Sequence, residues 1–507
     1  MNFGKKFLHF FLIFHCYCSL LNGSYKIHLS SAWYPNKKTS LLFALEKYDQ
    51  QAKETYDFLL DGSKIRALIV PHAGYQYSGV IAASAYRLLK PNFFKRVIVL
   101  APAHFEYFKG IGLPSKHFFS YKNILGDILL DRKVLDYFAL EPDLFSYQVL
   151  AHEQDHAINV QLPFIQYYLG KQCLLIPLLI GELSEQQLER AIFMLRPFLN
   201  ENTLVIVSSD FTHYGSRFLY EPFKGQENIN QSIFALDSSI VWEIQNGSLA
   251  AFTTILHKTG ATVCGKNPLR LLLGLMQAKS FGVAQPYVIG YETSAFLEKN
   301  PDHSVSYLSC VISNQLKKDL AIENRLTGYE KKFLLQLARQ HLVSLVEKKD
   351  NTMSLPGIVT KSLKEPSGAF VTLYKNNQLR GCIGSLNGTM PLYETIFEMT
   401  KSAALHDGRF SPVEKDELPL IDISLSVLTP LEKIASYHDI QIGRDGVLLK
   451  KQQQSATYLP KVAIEQGWNL EEMLQSLSEK AGLAPGDWKS KDAQYQIYQS
   501  IDFSEKR

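Results

Sequence analysis

Very little in this chain of 507 residues points to disulfides, a membrane span or a nucleic acid. Only six cysteines are present. Cys16 and Cys18 fall in an apolar N-terminal run, while Cys173, Cys264, Cys310 and Cys382 are far apart with no paired spacing. That excludes a disulfide framework, and free thiols suit a reducing compartment, which favours the cytoplasm. Beyond the N-terminus no apolar run is long enough to cross a bilayer. The formal charge of +4 is small for this length, and no basic stripe interleaves with aromatics, so no nucleic acid is expected as a partner. Internal repeats and a CxxxCxxC run are missing too.

What is present starts with a signal-like leader, residues 1–23. Lys5 and Lys6 precede an apolar run from Phe7 to Leu21, followed by Asn22, Gly23 and Ser24, the layout of a secretory signal. The run is shorter than the roughly 20 residues a spanning helix needs, and it allows export or membrane tethering. Hydrophobic residues at 46% and charged residues at 20% are the balance of an ordinary globular protein. The length is too great for one core, so two domains are expected.

In the first of these, residues 24–315, the runs RALIV, RVIVLAP, LLIPLLIG and TLVIVSSDF alternate with helical patterns. Apolar on both faces and closed by polar turns, they read as buried strands of a central, mostly parallel sheet with flanking helices, an α/β fold. Residues 316–328 form a polar linker. Residues 329–507 read as a smaller α+β domain, with a hairpin turn at Asn376 and Asn377 and helices near Leu392–Ala404 and Leu470–Ala481.

Ligands of α/β sheets gather at the carboxyl ends of the strands. His72 follows RALIVP, His104 follows VIVLAPA, and Asp210 and His213 follow LVIVSS. Imidazole nitrogen and thiolate sulfur suit first-row transition metals, which makes His72, His104 and Cys264, in TVCGKNP, a candidate ligand set. Each histidine has the alternative of a capping or satisfied buried residue, and Cys264 that of a small core residue. Gly74 and Gly79 in PHAGYQYSG permit tight turns, with Tyr75 and Tyr77 placed to line a pocket. Asp210 stands where it can orient the imidazole of His213 or cap the next turn. His156 is a polar group of the pocket or only the first residue of a helix.

The segments SSAWYP, PHAGYQYSG, LAPAHFEYF, DHAINVQLPF, SSDFTHYGSRF, TVCGKNP and DHSVSYLS occur in this order over residues 31–308, and together they resemble the MEMO family. The resemblance implies a fold like that of class III extradiol dioxygenases and an iron, Fe(II), or copper ion held by two histidines and one cysteine. On the matching positions these are His72, His104 and Cys264, with Asp210 and His213 beside them. Extradiol dioxygenases use a carboxylate where this set has a thiolate, so their activity does not follow from the fold. The chain also departs from the family pattern, with Asp155 and Asn159 where glutamates are common. That reduces the charge behind the site.

Residues 329 to about 500 resemble the AMMECR family through LARQHL, GAFVTLYKNNQLRGCIGSL, AALHDGRFSPVEKDEL, DISLSVLTP, YLPKVAIEQGW and KAGL. Alternation along the strand puts Arg380 and Cys382 on one face, where the cation would favour a reactive thiolate. The plainer reading is a half-buried cysteine with a surface arginine. His406, Asp407 and Arg409 form a loop that completes a pocket or simply holds a turn. In prokaryotes the two families are associated with a radical SAM protein in the AmmeMemoRadiSam system, which implies a separate partner of that kind. The resulting expectation is a redox-metal, dioxygenase-like component acting on a small-molecule or peptide substrate, with Asp210, His213 and His156 handling protons. A non-catalytic scaffold and a hydrolase using Cys264 with His213 as base are the rivals, and self-association is left open.

Overall fold

The computed structural model describes residues 23–26, 29–170, 172–298, 302–348 and 352–505. Nearly all of the signal-like leader lies outside the described residues. Among these, no helix is long and apolar enough to cross a membrane. The chain divides into two compact units, one holding residues up to Asp319 together with Thr327–Tyr329, the other Leu320–Leu326 and Glu330 onward. The segment read as a polar linker contains helical turns at Lys317–Asp319 and Ile322–Asn324.

The first unit is built on a nine-stranded sheet. Its strands are β1 (Ile65–Val70), β2 (Arg96–Pro102), β3 (Ile111–Leu113), β4 (Phe145–Tyr147), β5 (Leu174–Ile180), β6 (Thr203–Ser208), β7 (His213–Tyr214), β8 (Gln285–Thr293) and β9 (Ser304–Ser313). They lie in the order β7-β9-β1-β6-β2-β5-β3-β4, with β8 paired to β9. The middle strands β1, β6, β2 and β5 are parallel, as the apolar runs predict, and antiparallel pairs flank them. The fold is α/β.

These middle strands are buried almost throughout because helices cover them. The helices that matter for the site are α1 (Lys38–Thr55), α2 (Tyr75–Tyr86), α3 (His156–Asn159), α4 (Leu162–Leu169) and α5 (Lys266–Gln277). Helix α2 packs on β8 and β9, and α5 on β2 and β6. Register does the positioning. Val70 lies opposite Ser208 and Leu100 opposite Val207, so β1, β6 and β2 end at one edge and the residues after them meet.

Two expectations about PHAGYQYSG need correcting. Gly79 makes no turn: it lies within α2, where a Cβ would fall 2.8 Å from the Tyr48 ring, so its small size serves a close helix contact. Tyr75 belongs to the core instead: it is buried and its hydroxyl donates to the Val160 carbonyl at 2.6 Å.

The second unit holds two antiparallel four-stranded sheets. The strands are β10 (Ala369–Lys375), β11 (Gln378–Ser385), β12 (Ile421–Leu428), β13 (Glu432–Ile434), β14 (Gly446–Lys451), β15 (Gln454–Tyr458), β16 (Gln494–Tyr498) and β17 (Ser500–Ser504). Their orders are β11-β10-β12-β17 and β13-β16-β14-β15. Asn376 and Asn377, at φ +52° and +63°, form the expected hairpin turn; asparagine tolerates this region better than most residues. Helix α6 (Leu392–Leu405) packs on β10 and β11. Helix α7 (Leu470–Lys480) contributes Met473, Leu474 and Leu477 to a core with Val447, Leu449 and Trp488.

Candidate metal centre

At the shared strand edge His72, His104 and Cys264 converge, each offering a ligand atom within 4.8 Å of the other two. His72 is buried, and its Nε2 lies 3.2 Å from Cys264 Sγ. Burial, then the neighbouring His104, holds its pKa well below the usual histidine value, so the ring is neutral. Cys264 sits just before α5, where Gly265 passes so close to Ser209 that a Cβ would come within 2.3 Å of its side chain. The backbone N–H of Asp210 donates to Cys264 Sγ at 3.2 Å. Without an ion, burial and then the Asp210 carboxylate push the thiol well above its ordinary pKa.

His104 is held by Asp155. The carboxylate accepts from the His104 backbone N–H at 2.5 Å, lies 3.1 Å from Nδ1, and caps α3 through the N–H of Ala157 at 2.9 Å. Burial opposes this charge, but the bonds from His104 and Ala157 outweigh it and hold the Asp155 pKa below the usual value. With Nδ1 taken up, His104 has Nε2 left to offer. His156 does begin α3, and it also belongs to the cluster: its ring stacks on His104 at 4.7 Å and on Trp33 at 3.9 Å. Burial, then His72 and His104, brings its pKa down to about 3.

Asp210 and His213 are arranged differently from the expected pair. Asp210 Oδ1 accepts the backbone N–H of His72 at 2.8 Å, and burial raises its pKa against the pull of His213. The His213 ring is oriented by two carbonyls, Phe211 and Thr262, each 2.8 Å from Nδ1. Since carbonyls only accept, Nδ1 carries the proton and Nε2 is the basic atom. Tyr77 stands away from the cluster, its hydroxyl on Glu298.

A cleft of about 840 Å³ opens onto His104 and Cys264. Its walls include Phe105 and Tyr107, which are 59% and 78% exposed, and on another side Lys266 and Arg270. Trp33, Asp155, Gln161 and Ser208 are the participants to which sequence reasoning gave no role at the site. The motifs SSAWYP, DHAINVQLPF and SSDFTHYGSRF contain all four, so their place in that order of motifs was the available signal.

In the second unit the cation beside Cys382 is not Arg380. Gly381 pairs with Leu373 and Leu379 with Tyr374, so Arg380 is an extra residue in a bulge and the expected alternation breaks. Its guanidinium grips Glu417 through two bonds of 2.9 Å and lowers that carboxyl to about 2. Arg409 lies there instead, its guanidinium donating to the Cys382 carbonyl at 3.0 Å. Asp407 is buried, accepts the Cys382 N–H at 2.8 Å, and is held well below the usual carboxylate range by Arg409. His406 is exposed at the end of α6. The HDGRF loop therefore anchors β11 rather than merely turning.

A fold of this class, with two imidazoles and a thiol at the strand edge, agrees with the family comparisons. Residues 26–311 match the family model described as Memo-like protein, and residues 335–503 match the model described as AMMECR1. The chain belongs to the Memo-like family, and it carries an AMMECR1 segment after the Memo-like one. It is 32% identical over 257 residues to a memo-1 homolog of Caenorhabditis elegans, covering 49% of this chain and 72% of that protein. A MEMO1 family protein of Pyrococcus horikoshii is 30% identical over 264 residues, 50% of this chain and 89% of its own length. The crystal structure of an uncharacterised protein from that organism matches 34% of this chain and 90% of its own, at 34% identity and a TM-score of 0.33.

Proposed function

We propose that the first unit is a redox-metal protein that holds one iron or copper ion through His72, His104 and Cys264. The observation that carries this reading is the meeting of the three ligand atoms within 4.8 Å. Two neutral imidazoles and a soft sulfur fit a first-row transition metal, whereas Mg²⁺ and Ca²⁺ ask for oxygens. When bound, such an ion supplies one-electron chemistry and Lewis acidity. The chain's own groups then manage protons: His213 accepts at Nε2, and Asp210, its pKa raised by burial, is the better donor. His156 and Trp33 wall the site, and the cleft admits a small molecule or a peptide end. Because no CxxxCxxC run is present, radical chemistry would belong to a separate radical SAM partner.

The cysteine hydrolase reading is weaker. Cys264 faces His72 rather than resting on His213, and burial keeps the thiol protonated. A docking role remains as the second reading, favoured by the exposed Phe105 and Tyr107 on the cleft wall.

Elemental analysis of anaerobically purified protein tests the proposal. About one iron or copper per chain is expected in the wild type, and almost none in His72→Ala or Cys264→Ala. Equal metal in all three proteins would remove the site. Full metal with no oxygen uptake on any catechol-like or peptide substrate would favour docking.

A further inference from the structure

Behind His72 lies a chain of buried polar groups whose hydrogens can be assigned one by one. Gln161 is fully buried; its Nε2 lies 2.9 Å from the Pro71 carbonyl and 2.9 Å from Ser208 Oγ, and its Oε1 3.0 Å from the Tyr86 hydroxyl. The Pro71 carbonyl can only accept, which sets the amide with nitrogen toward it and makes Gln161 a donor to Ser208. Ser208 has a single hydrogen, and the Ala157 carbonyl, 2.7 Å from Oγ, can also only accept. That hydrogen goes to Ala157. The last neighbour of Oγ, His72 Nδ1 at 3.0 Å, therefore meets a lone pair. Nδ1 must carry the ring proton and donate it, which leaves the free electron pair on Nε2, the atom 3.2 Å from Cys264 Sγ.

We infer that Gln161 and Ser208 are positioning residues, a relay that locks His72 in the Nδ1–H tautomer whose Nε2 can bind an ion. The inference rests on the reading of His72 as a ligand, but the tautomer itself can be measured without metal. The relay joins three elements. Tyr86 is on α2, Gln161 sits between α3 and α4, and Ser208 ends β6. All three residues are fully buried, so water cannot substitute for a missing partner. Neither residue needs to touch the ion to control it, since a metal-binding histidine takes its tautomer from the bond at its other nitrogen.

The test uses the full chain labelled with ¹⁵N-histidine and stripped of metal. Long-range proton–nitrogen correlation should show His72 as Nδ1–H in the wild type. A mixture or the Nε2–H form is expected in Ser208→Ala, with a smaller shift in Gln161→Met. Cobalt(II) affinity, read by chelator competition, should fall about 10- to 100-fold in Ser208→Ala. A wild-type His72 in the Nε2–H form overturns the relay, and that spectrum decides even where a variant does not fold. Unchanged tautomer and affinity in both variants also overturn it. If the wild type binds no cobalt while Ser208→Ala still shifts the tautomer, the relay stands and the metal reading falls.

Discussion

A thiol that burial keeps protonated must lose its hydrogen before it can bind an ion, and for the ion proposed at Cys264 this predicts an uptake that depends on pH. His72 is already neutral, since its pKa lies well below the usual value, and it has no proton to give up at neutral pH. One proton per ion should therefore appear in solution on loading. Affinity should rise with pH, about tenfold per unit while the pH stays below the thiol's own pKa. Calorimetry in buffers of different ionisation enthalpy counts the released protons, and a count near zero would mean that the sulfur is not a ligand. Residues of this kind were readable in the sequence as types at strand ends. Their partners were not. Asp155 was noted only as a departure, and Ser208 and Gln161 gain their meaning from atoms far along the chain that the sheet alone brings near.

At the scale of an element, α5 is seated against β6 by the absence of a side chain. A methyl at residue 265 would fall within 2.3 Å of Ser209 and 3.1 Å of the Ser208 carbonyl, so either the helix start or the strand end has to move. Gly265→Ala should cost about 1–3 kcal/mol of stability, seen as a lower urea midpoint, and should shift Cys264 enough to empty the site. A variant with wild-type stability and full metal would show that this contact is not strained. The parallel middle strands were legible because each is a short apolar run closed by a polar turn. The bulge at Arg380 was not, because register belongs to a pair of strands and only one of them was in view. Alternation within LRGCIG predicted the wrong cation beside Cys382, and Arg409 fills that place from the next loop.

For the molecule as a whole, the proposed ligands and proton carriers come from one unit, while Cys382, Arg380, Asp407 and Arg409 belong to the other. Loading the metal should slow amide exchange in peptides ending β1, β2 and β6 and in the start of α5, and leave β10, β11 and β12 unchanged. Exchange on the full chain, followed by mass spectrometry of its peptic peptides, reads this directly, and equal slowing in both units would place the ion elsewhere. The order of strands has a consequence for how the protein is made. β1, which leads into His72, is bounded on one side by β9, residues 304–313, and Cys264 arrives only shortly before it. On the ribosome the middle of the sheet is expected to wait with an open edge until more than half the chain has emerged, so the proposed ion would be gathered late, after the stage at which that edge invites aggregation.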